Sequence, residues 1–195
     1  WSSSSSLAQG TNDKITVASI GIGGSRGRYN RGRDIARQAR NLGRIIAVCD
    51  VDSLHNDEFA TECKEQSGYD INKYTDYREM LEKEAGKIDA VMVATPDHHH
   101  APATIRAIRA GLHVYCEKMM SHTIDGARQM VRAMERNGKL CQIGHQRRSN
   151  PRYRFTLKYL VNGERLCGRI VNASAQWNRS VAASEVSRLD SKVAV

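Results

Sequence analysis

A doubly wound α/β fold, a parallel sheet with helices on both faces, is the fold class that this sequence predicts. From residue 14 onward, short runs rich in valine and isoleucine alternate with longer segments whose apolar residues recur at helical spacing. The short runs are apolar throughout, as strands buried on both faces of a parallel sheet are. A glycine-rich segment follows directly after the first run. Right-handed crossovers between parallel strands then leave little freedom in the topology.

Ten elements are predicted before residue 147. The predicted strands are Ile15–Ile20, Arg44–Cys49, Asp89–Ala94, His113–Cys116 and Leu140–Ile143. The predicted helices are Arg33–Asn41, Leu54–Gln66, Tyr77–Ala85, Ala101–Ala110 and Ile124–Asn137. Asp52 is placed to cap the N-terminus of the second helix, and Gly138 to cap the C-terminus of the fifth.

The chain of 195 residues has room for one domain and part of a second. Residues 1–13 contain a serine run of low complexity, which indicates a disordered leader. Residues 14–146 hold the predicted doubly wound sheet. Residues 147–195 are predicted to open a further α/β domain, with a helix over Pro151–Asn162 and a strand over Gly168–Trp177.

Composition narrows the classes of partner and cofactor. Hydrophobic residues make up 40% and charged residues 26% of the chain, and no apolar run reaches the roughly 18 residues that a membrane span requires. The net charge of +9 comes without an aromatic stacking series, so we expect no nucleic-acid partner. The five cysteines form no CxxC pair, and the adjacent His98, His99 and His100 point in divergent directions. We therefore expect no metal site.

The glycine-rich segment has the properties of a phosphate-binding turn. It reads Gly21-Ile22-Gly23-Gly24-Ser25-Arg26-Gly27 and precedes a helix, whose N-terminus offers unpaired N–H groups to a pyrophosphate. Gly21, Gly23, Gly24 and Ser25 are the predicted contacts, and Arg26 is placed to touch a phosphate. The spacing departs from GxGxxG, because Arg26 stands where the third glycine belongs and Gly27 comes one residue later. A looped-out residue would restore the geometry.

An acid at the end of the second strand completes the pattern of a Rossmann domain. Asp50 stands 23 residues after Gly27, near the offset of about 20 at which a carboxylate binds the adenosine ribose. A carboxylate there repels the 2′-phosphate of NADP. The sequence therefore predicts NAD as cofactor, with NADP disfavoured.

Later motifs strongly resemble the Gfo/Idh/MocA oxidoreductases, the family of glucose-fructose oxidoreductase and inositol dehydrogenase. The motifs are Ala94-Thr95-Pro96-Asp97-His98-His99-His100, Ala107-Ile108-Arg109-Ala110-Gly111-Leu112-His113-Val114-Tyr115-Cys116-Glu117-Lys118, Gln142-Ile143-Gly144-His145-Gln146-Arg147-Arg148 and Pro151-Arg152-Tyr153. The resemblance covers roughly residues 14–179. It implies an N-terminal Rossmann domain, a C-terminal α/β domain that carries substrate and often subunit contacts, and hydride transfer between nicotinamide and a sugar or polyol.

The resemblance also implies roles for individual residues. Thr95, Pro96, Asp97 and His100 would bind the nicotinamide half of the cofactor, and Gln146 would lie near the same ring. Glu117 and Lys118 match the start of the family's Glu-Lys-Pro motif. The glutamate would position the cofactor, and the lysine would act in catalysis and contact substrate. Arg148 would face substrate or the domain junction.

Two departures from the family pattern leave alternatives open. Met119 replaces the proline of the Glu-Lys-Pro motif, so we expect a less constrained backbone after Lys118. The family's catalytic aspartate and histidine pair is missing, since no histidine follows His145. The chain could therefore be a fragment, or a dinucleotide-binding protein without catalysis. An NAD-dependent glycosidase is a third alternative, which the Glu117-Lys118 pair does not specifically support.

Assembly and location are expectations from the same resemblance. A homo-oligomer is expected where the second domain is complete. The serine-rich leader resembles the sequence that follows a twin-arginine export signal, which favours a periplasmic or exported protein over the cytoplasmic alternative.

Overall fold

Strands and helices alternate along the chain. The computed structural model describes residues 14–23, 30–162, 166, 168–172, 174 and 176. The strands are β1 (Thr16–Ile20), β2 (Arg44–Cys49), β3 (Asn72–Tyr74), β4 (Ala90–Val93), β5 (His113–Glu117) and β6 (Cys141–Gly144). The helices are α1 (Arg31–Arg40), α2 (Ser53–Ser67), α3 (Tyr77–Glu84), α4 (Asp97–Arg109), α5 (Ile124–Asn137) and α6 (Pro151–Thr156), which continues as a π-helical turn over Leu157–Asn162.

The six strands form one parallel sheet in the order β3-β2-β1-β4-β5-β6. The order runs outward in one direction from β1 to β3 and in the other from β4 to β6. The predicted doubly wound fold is thus confirmed. The change of direction between β1 and β4 opens a crevice at the carboxyl ends of these strands, where sheets of this kind bind ligands.

Alternate residues of the central strands serve two separate cores. Ala47, Cys49, Val91 and Val93 pack with helices α3, α4 and α5 on one face of the sheet. Val48 and Met92, their neighbours in sequence, pack with α1 and α2 on the other face. Because side chains of a strand point to opposite faces in turn, both cores are filled by apolar residues in succession.

The structure differs from the predicted elements at three places. Strand β3 was missed, because Asn72, Lys73 and Tyr74 form a three-residue edge strand with no apolar run. Helix α4 begins at Asp97 rather than Ala101, since the histidine run that fills its first turn shows no apolar period. The strand predicted over residues 168–177 is wrong for the residues there that the structure describes, none of which is in a strand.

Both predicted caps are confirmed. The Asp52 side chain accepts a hydrogen bond from the Leu54 amide, and Gly138 ends α5 in the left-handed conformation with φ of 59°.

The chain divides into two units, Trp1–Gln146 and Arg147–Val195. In the second unit α6 starts at Pro151 and has no buried residue. Residues 1–13, which were predicted as a leader, lie outside the described residues, and the nature of the second unit stays a prediction. Within the described part of the chain, no helix is long and apolar enough to span a bilayer.

A buried acid fastens the edge strand β3 to the end of α3. Glu84 is only 2% exposed, and its carboxylate accepts hydrogen bonds from Asn72 Nδ2 and the Tyr74 hydroxyl, both at 2.6 Å. Lys87 Nζ lies 2.9 Å from its second oxygen. Burial raises the pKa of Glu84, but these donors outweigh it and the pKa lies below its usual value.

We expect Glu84→Ala to lower the free energy of unfolding by about 2 kcal/mol, because Asn72 and Tyr74 lose a buried, charged acceptor. Urea denaturation at pH 7 measures the effect. The control Glu82→Ala removes an exposed carboxylate from the same helix and should change stability by less than about 0.5 kcal/mol. Equal effects of the two substitutions would show that the Glu84 network contributes nothing.

The same network predicts a pH dependence. The pKa of Glu84 is lower in the folded chain than the unfolded reference of 4.5, so its contribution is present above that pH and disappears as the pH falls below it. The difference in unfolding free energy between the wild type and Glu84→Gln should therefore shrink between pH 6 and pH 3. A constant difference would contradict the lowered pKa.

Candidate functional site

The first glycines of the predicted turn lie at the crevice between β1 and β4. Gly21 and Gly23 have positive φ values of 83° and 63°, a conformation that favours glycine. A Cβ atom at Gly21 would lie 2.7 Å from the Thr95 nitrogen and 2.8 Å from the Ala94 carbonyl carbon. The crevice is therefore lined by bare backbone. Gly24, Ser25 and Arg26, together with Gly27, lie outside the described residues.

Gly32 performs the packing role of the missing third glycine. It lies in the first turn of α1, and a Cβ atom there would lie 1.8 Å from the carbonyl oxygen of Gly21. The third glycine of a dinucleotide-binding turn allows such close packing of helix on strand. Gly32 was not predicted as a member of the turn, because it lies nine positions after Gly23, where the usual spacing is three. The available signal was a glycine at the start of a helix. Glycine lowers the stability of a helix, so its presence there indicates that close packing requires it.

Asp50 lies at the carboxyl end of β2 and faces the glycine turn. Its carboxylate accepts a hydrogen bond from the Gly23 amide at 2.9 Å and another from the Asp52 amide at 3.0 Å. His55 Nδ1 lies 3.3 Å from Oδ1, a contact that sequence reasoning did not anticipate. The side chain is 10% exposed. A carboxylate fixed in this way keeps lone pairs for the hydroxyls of a ribose.

The end of β4 supplies an unsatisfied hydroxyl and a buried histidine. Thr95 Oγ1 is buried and has no hydrogen-bond partner among the described residues. Pro96 caps α4 and Asp97 begins it, and both are exposed. His100 is 1% exposed, and its ring nitrogens lie 2.8 Å from the Thr95 carbonyl and 2.6 Å from the Met119 carbonyl. His100 therefore lies between the loops that follow β4 and β5, and its role in cofactor binding stays a prediction.

Glu117 and Lys118 lie at the carboxyl end of β5. The Glu117 side chain is 4% exposed and pairs with the Arg31 guanidinium at 3.0 Å. Tyr115 donates its hydroxyl to the same carboxylate oxygen at 3.3 Å, and the Lys118 amide lies 3.3 Å from the other oxygen. Lys118 itself is exposed. Lys118 therefore follows the carboxyl end of β5 with its side chain open to solvent.

The remaining predicted residues follow β6. Gln146 is exposed and begins a short 3₁₀ turn over Gln146–Ser149, and Arg148 is an exposed residue of that turn in the second unit. Among the described residues, no group of three or more His, Cys, Asp or Glu side chains could hold a metal ion.

The residues at this edge fit a dinucleotide. Gly21 lines the crevice with backbone, Thr95 Oγ1 is an unpaired hydroxyl, and Asp50 is a pre-oriented carboxylate. These groups match, in turn, a pyrophosphate, a polar group of the ligand and a ribose. The structure thus places Gly21, Asp50, Thr95 and the Glu117-Lys118 pair at the carboxyl ends of β1, β2, β4 and β5, whereas Gln146 and Arg148 follow β6.

Known proteins resemble the chain over this same unit. The family model described as "Oxidoreductase family, NAD-binding Rossmann fold", GFO_IDH_MocA, matches residues 15–145. An inositol 2-dehydrogenase from Rubrobacter xylanophilus is 30% identical over 162 residues, which cover 80% of this chain and 42% of that protein. The chain therefore spans less than half the length of this relative.

Solved structures agree with the fold. The crystal structure of myo-inositol 2-dehydrogenase from Lactobacillus plantarum superposes with a TM-score of 0.62 at 28% identity, covering 78% of this chain and 42% of that one. The WlbA dehydrogenase from Bordetella pertussis, in complex with NADH and UDP-GlcNAcA, gives a TM-score of 0.59 at 25% identity over 75% of this chain and 40% of that one.

We expect Gly32→Ala to destabilise the chain by about 3 kcal/mol and to raise the dissociation constant for NADH at least about tenfold, because α1 must move away from Gly21. Chemical denaturation and fluorescence titration measure the two effects. Gly86→Ala is the matched control, since a Cβ atom there meets nothing within 4 Å. Alanine is otherwise the better helix former, so a neutral or stabilising Gly32→Ala would refute the packing role.

Proposed function

Because the chain belongs to the Gfo/Idh/MocA family of oxidoreductases, whose NAD-binding Rossmann fold it has, we propose that it is the cofactor-binding part of an NAD-dependent oxidoreductase of a sugar or polyol. The observation that carries this proposal is the convergence of the glycine turn, Asp50 and the Glu117-Lys118 pair at one edge of the sheet. The relatives named inositol 2-dehydrogenase support a polyol, and the WlbA complex supports a sugar.

The residues of the edge would divide the binding of NAD between them. Asp50 would accept hydrogen bonds from the adenosine ribose, and its charge would oppose a 2′-phosphate, which favours NAD over NADP. Gly21 and Gly23 would admit the pyrophosphate against backbone. Thr95 Oγ1 would gain the hydrogen-bond partner that it lacks among the described residues. The nicotinamide ring, when bound, supplies the hydride chemistry.

Lys118 would act on the substrate. An exposed ammonium group at the end of β5 can donate a hydrogen bond to a substrate hydroxyl and stabilise negative charge that develops on its oxygen as the carbon is oxidised. Gln146, the last residue of the first unit, would lie near the nicotinamide ring. We propose that the second unit is the beginning of the substrate domain, in which Arg148 would face substrate. Export from the cytoplasm and homo-oligomer formation belong to the same proposal.

A second candidate is a dinucleotide-binding protein without catalysis. One observation favours it: Met119 follows Lys118 where the Glu-Lys-Pro motif of the family has a proline, so the motif that would carry catalysis is altered. Both candidates require NADH to bind, and only the first requires Lys118 for turnover.

We expect the purified chain to bind NADH at least about tenfold more tightly than NADPH, because the Asp50 carboxylate meets the 2′-phosphate with like charge. Asp50→Asn keeps the size of the side chain and removes its charge. It should weaken NADH binding about tenfold and reduce the preference over NADPH. Fluorescence titration with both nucleotides measures this.

The control for this experiment is Asp70→Asn, because Asp70 is 80% exposed and its partner is a surface lysine, Lys64. It should leave both dissociation constants unchanged. Failure of the wild type to bind either nucleotide would overturn the proposed function, and an unchanged preference in Asp50→Asn would overturn the role of Asp50.

A further inference from the structure

Glu117 is a buried charge that requires a cation. Its side chain is 4% exposed, and a carboxylate removed from water is costly unless it is paired and hydrogen-bonded. Among the described residues, the ion-pair partner is Arg31, whose guanidinium lies 3.0 Å from Oε1. The Tyr115 hydroxyl donates to the same oxygen at 3.3 Å. Arg31 therefore offsets the cost of burying Glu117.

Neighbouring backbone confines this ion pair. A Cβ atom at Gly144, the last residue of β6, would lie 2.5 Å from the Tyr115 hydroxyl oxygen and 2.8 Å from Glu117 Oε1. The carboxylate is thus held between the start of α1 and the ends of β5 and β6. A larger residue at position 144 would displace either the hydroxyl or the carboxylate.

Arg31 and Tyr115 both have raised pKa values. Burial lowers the pKa of Arg31, but the hydrogen bond and the charge of Glu117 outweigh it, and the pKa is raised. Burial and the Glu117 charge raise the pKa of Tyr115. Arg31 accordingly remains a cation and Tyr115 a neutral donor.

The ion pair joins two segments that the proposed function uses separately. Arg31 is the first residue of α1, the helix that follows the glycine turn, and it stands 86 residues before Glu117. Glu117 is bonded directly to Lys118, whose amide lies 3.3 Å from Glu117 Oε2. A displacement of the start of α1 would therefore be transmitted to the backbone of Lys118 through the contact between Arg31 and Glu117.

We propose that Arg31 is a positioning residue, which connects the glycine turn to Lys118 through its ion pair with Glu117. The proposal rests on the proposed function in one respect, because it takes the glycine turn as the cofactor site and Lys118 as the group that contacts substrate. The ion pair would hold the Lys118 backbone in place before any ligand binds and would transmit cofactor binding at α1 to that lysine.

The chain offers a matched control on the same helix. Arg33, two residues further along α1, pairs with Glu58 of α2 at 2.6 Å, and its side chain is 12% exposed. Arg33→Gln removes an ion pair that joins α1 to α2, whereas the Arg31 pair joins α1 to β5. Arg31→Lys keeps the charge and changes the shape of the donor.

The first experiment uses the chain without cofactor. Amide hydrogen exchange, measured by NMR, should show the Lys118 amide exchanging about tenfold faster in Arg31→Gln than in the wild type, while Arg33→Gln leaves it unchanged. Arg31→Lys should restore part of the protection. Denaturation should be measured for Arg31→Gln, Glu117→Gln and the double variant. The unfolding equilibrium constant of the double variant should differ by at least about tenfold from the value obtained by multiplying the effects of the two single substitutions.

The second experiment is titration with NADH, for which Arg31→Gln should raise the dissociation constant about tenfold and Arg33→Gln should not. The positioning role would be overturned if the Lys118 amide exchanged equally fast in Arg31→Gln and Arg33→Gln. It would also be overturned if the effects of Arg31→Gln and Glu117→Gln on the unfolding constant simply multiplied in the double variant. If Arg31→Gln does not fold, Glu117→Gln removes the same ion pair, and wild-type exchange of the Lys118 amide in that variant would also overturn the role. Absence of NADH binding in the wild type would overturn the proposed function, while the cofactor-free measurements still decide the role of the ion pair.

Discussion

The contact between Gly32 and the Gly21 carbonyl is the constraint on which the rest of the cofactor edge depends. It leaves no space for a methyl group, so the first turn of α1 must lie directly against the end of β1. Gly21 in turn lies against the end of β4 at Thr95. Arg31 then reaches Glu117, and Gly23 can donate its amide to Asp50. Helix, turn and three strand ends are positioned together.

Two carboxylates at this edge are oriented by the protein itself. Asp50 accepts two backbone amides, and Glu117 accepts from Arg31 and Tyr115. Their environments differ in kind, since Asp50 accepts from backbone amides beside His55 and keeps lone pairs available to a ligand. Glu117 is paired with the Arg31 guanidinium, and its second oxygen lies near the backbone amide of Lys118. Groups that are oriented before binding need less reorganisation when a ligand arrives.

Much of the fold could be predicted because its signals are local. Apolar runs placed five of the six strands, and the caps at Asp52 and Gly138 followed from side-chain chemistry. Strand β3 could not be predicted, because three polar residues at a sheet edge carry no pattern. Asp50 was found through its order after the glycines. Gly32 and Arg31 were missed because their partners are distant in sequence or because their distance from the first glycine departs from the usual count.

The position of Gly32 changes how a dinucleotide-binding motif is recognised. The helix is registered on the strand by a contact at its own first turn, so the number of residues between the second and third glycines is not fixed by packing. Nine positions separate Gly23 from Gly32 here, where the common pattern has three. A search that anchors the last glycine to the start of the helix would recognise such chains, whereas one that counts from the first glycine passes over them. Evolution can accordingly lengthen this turn, and alter what it presents to a phosphate, without repacking the sheet.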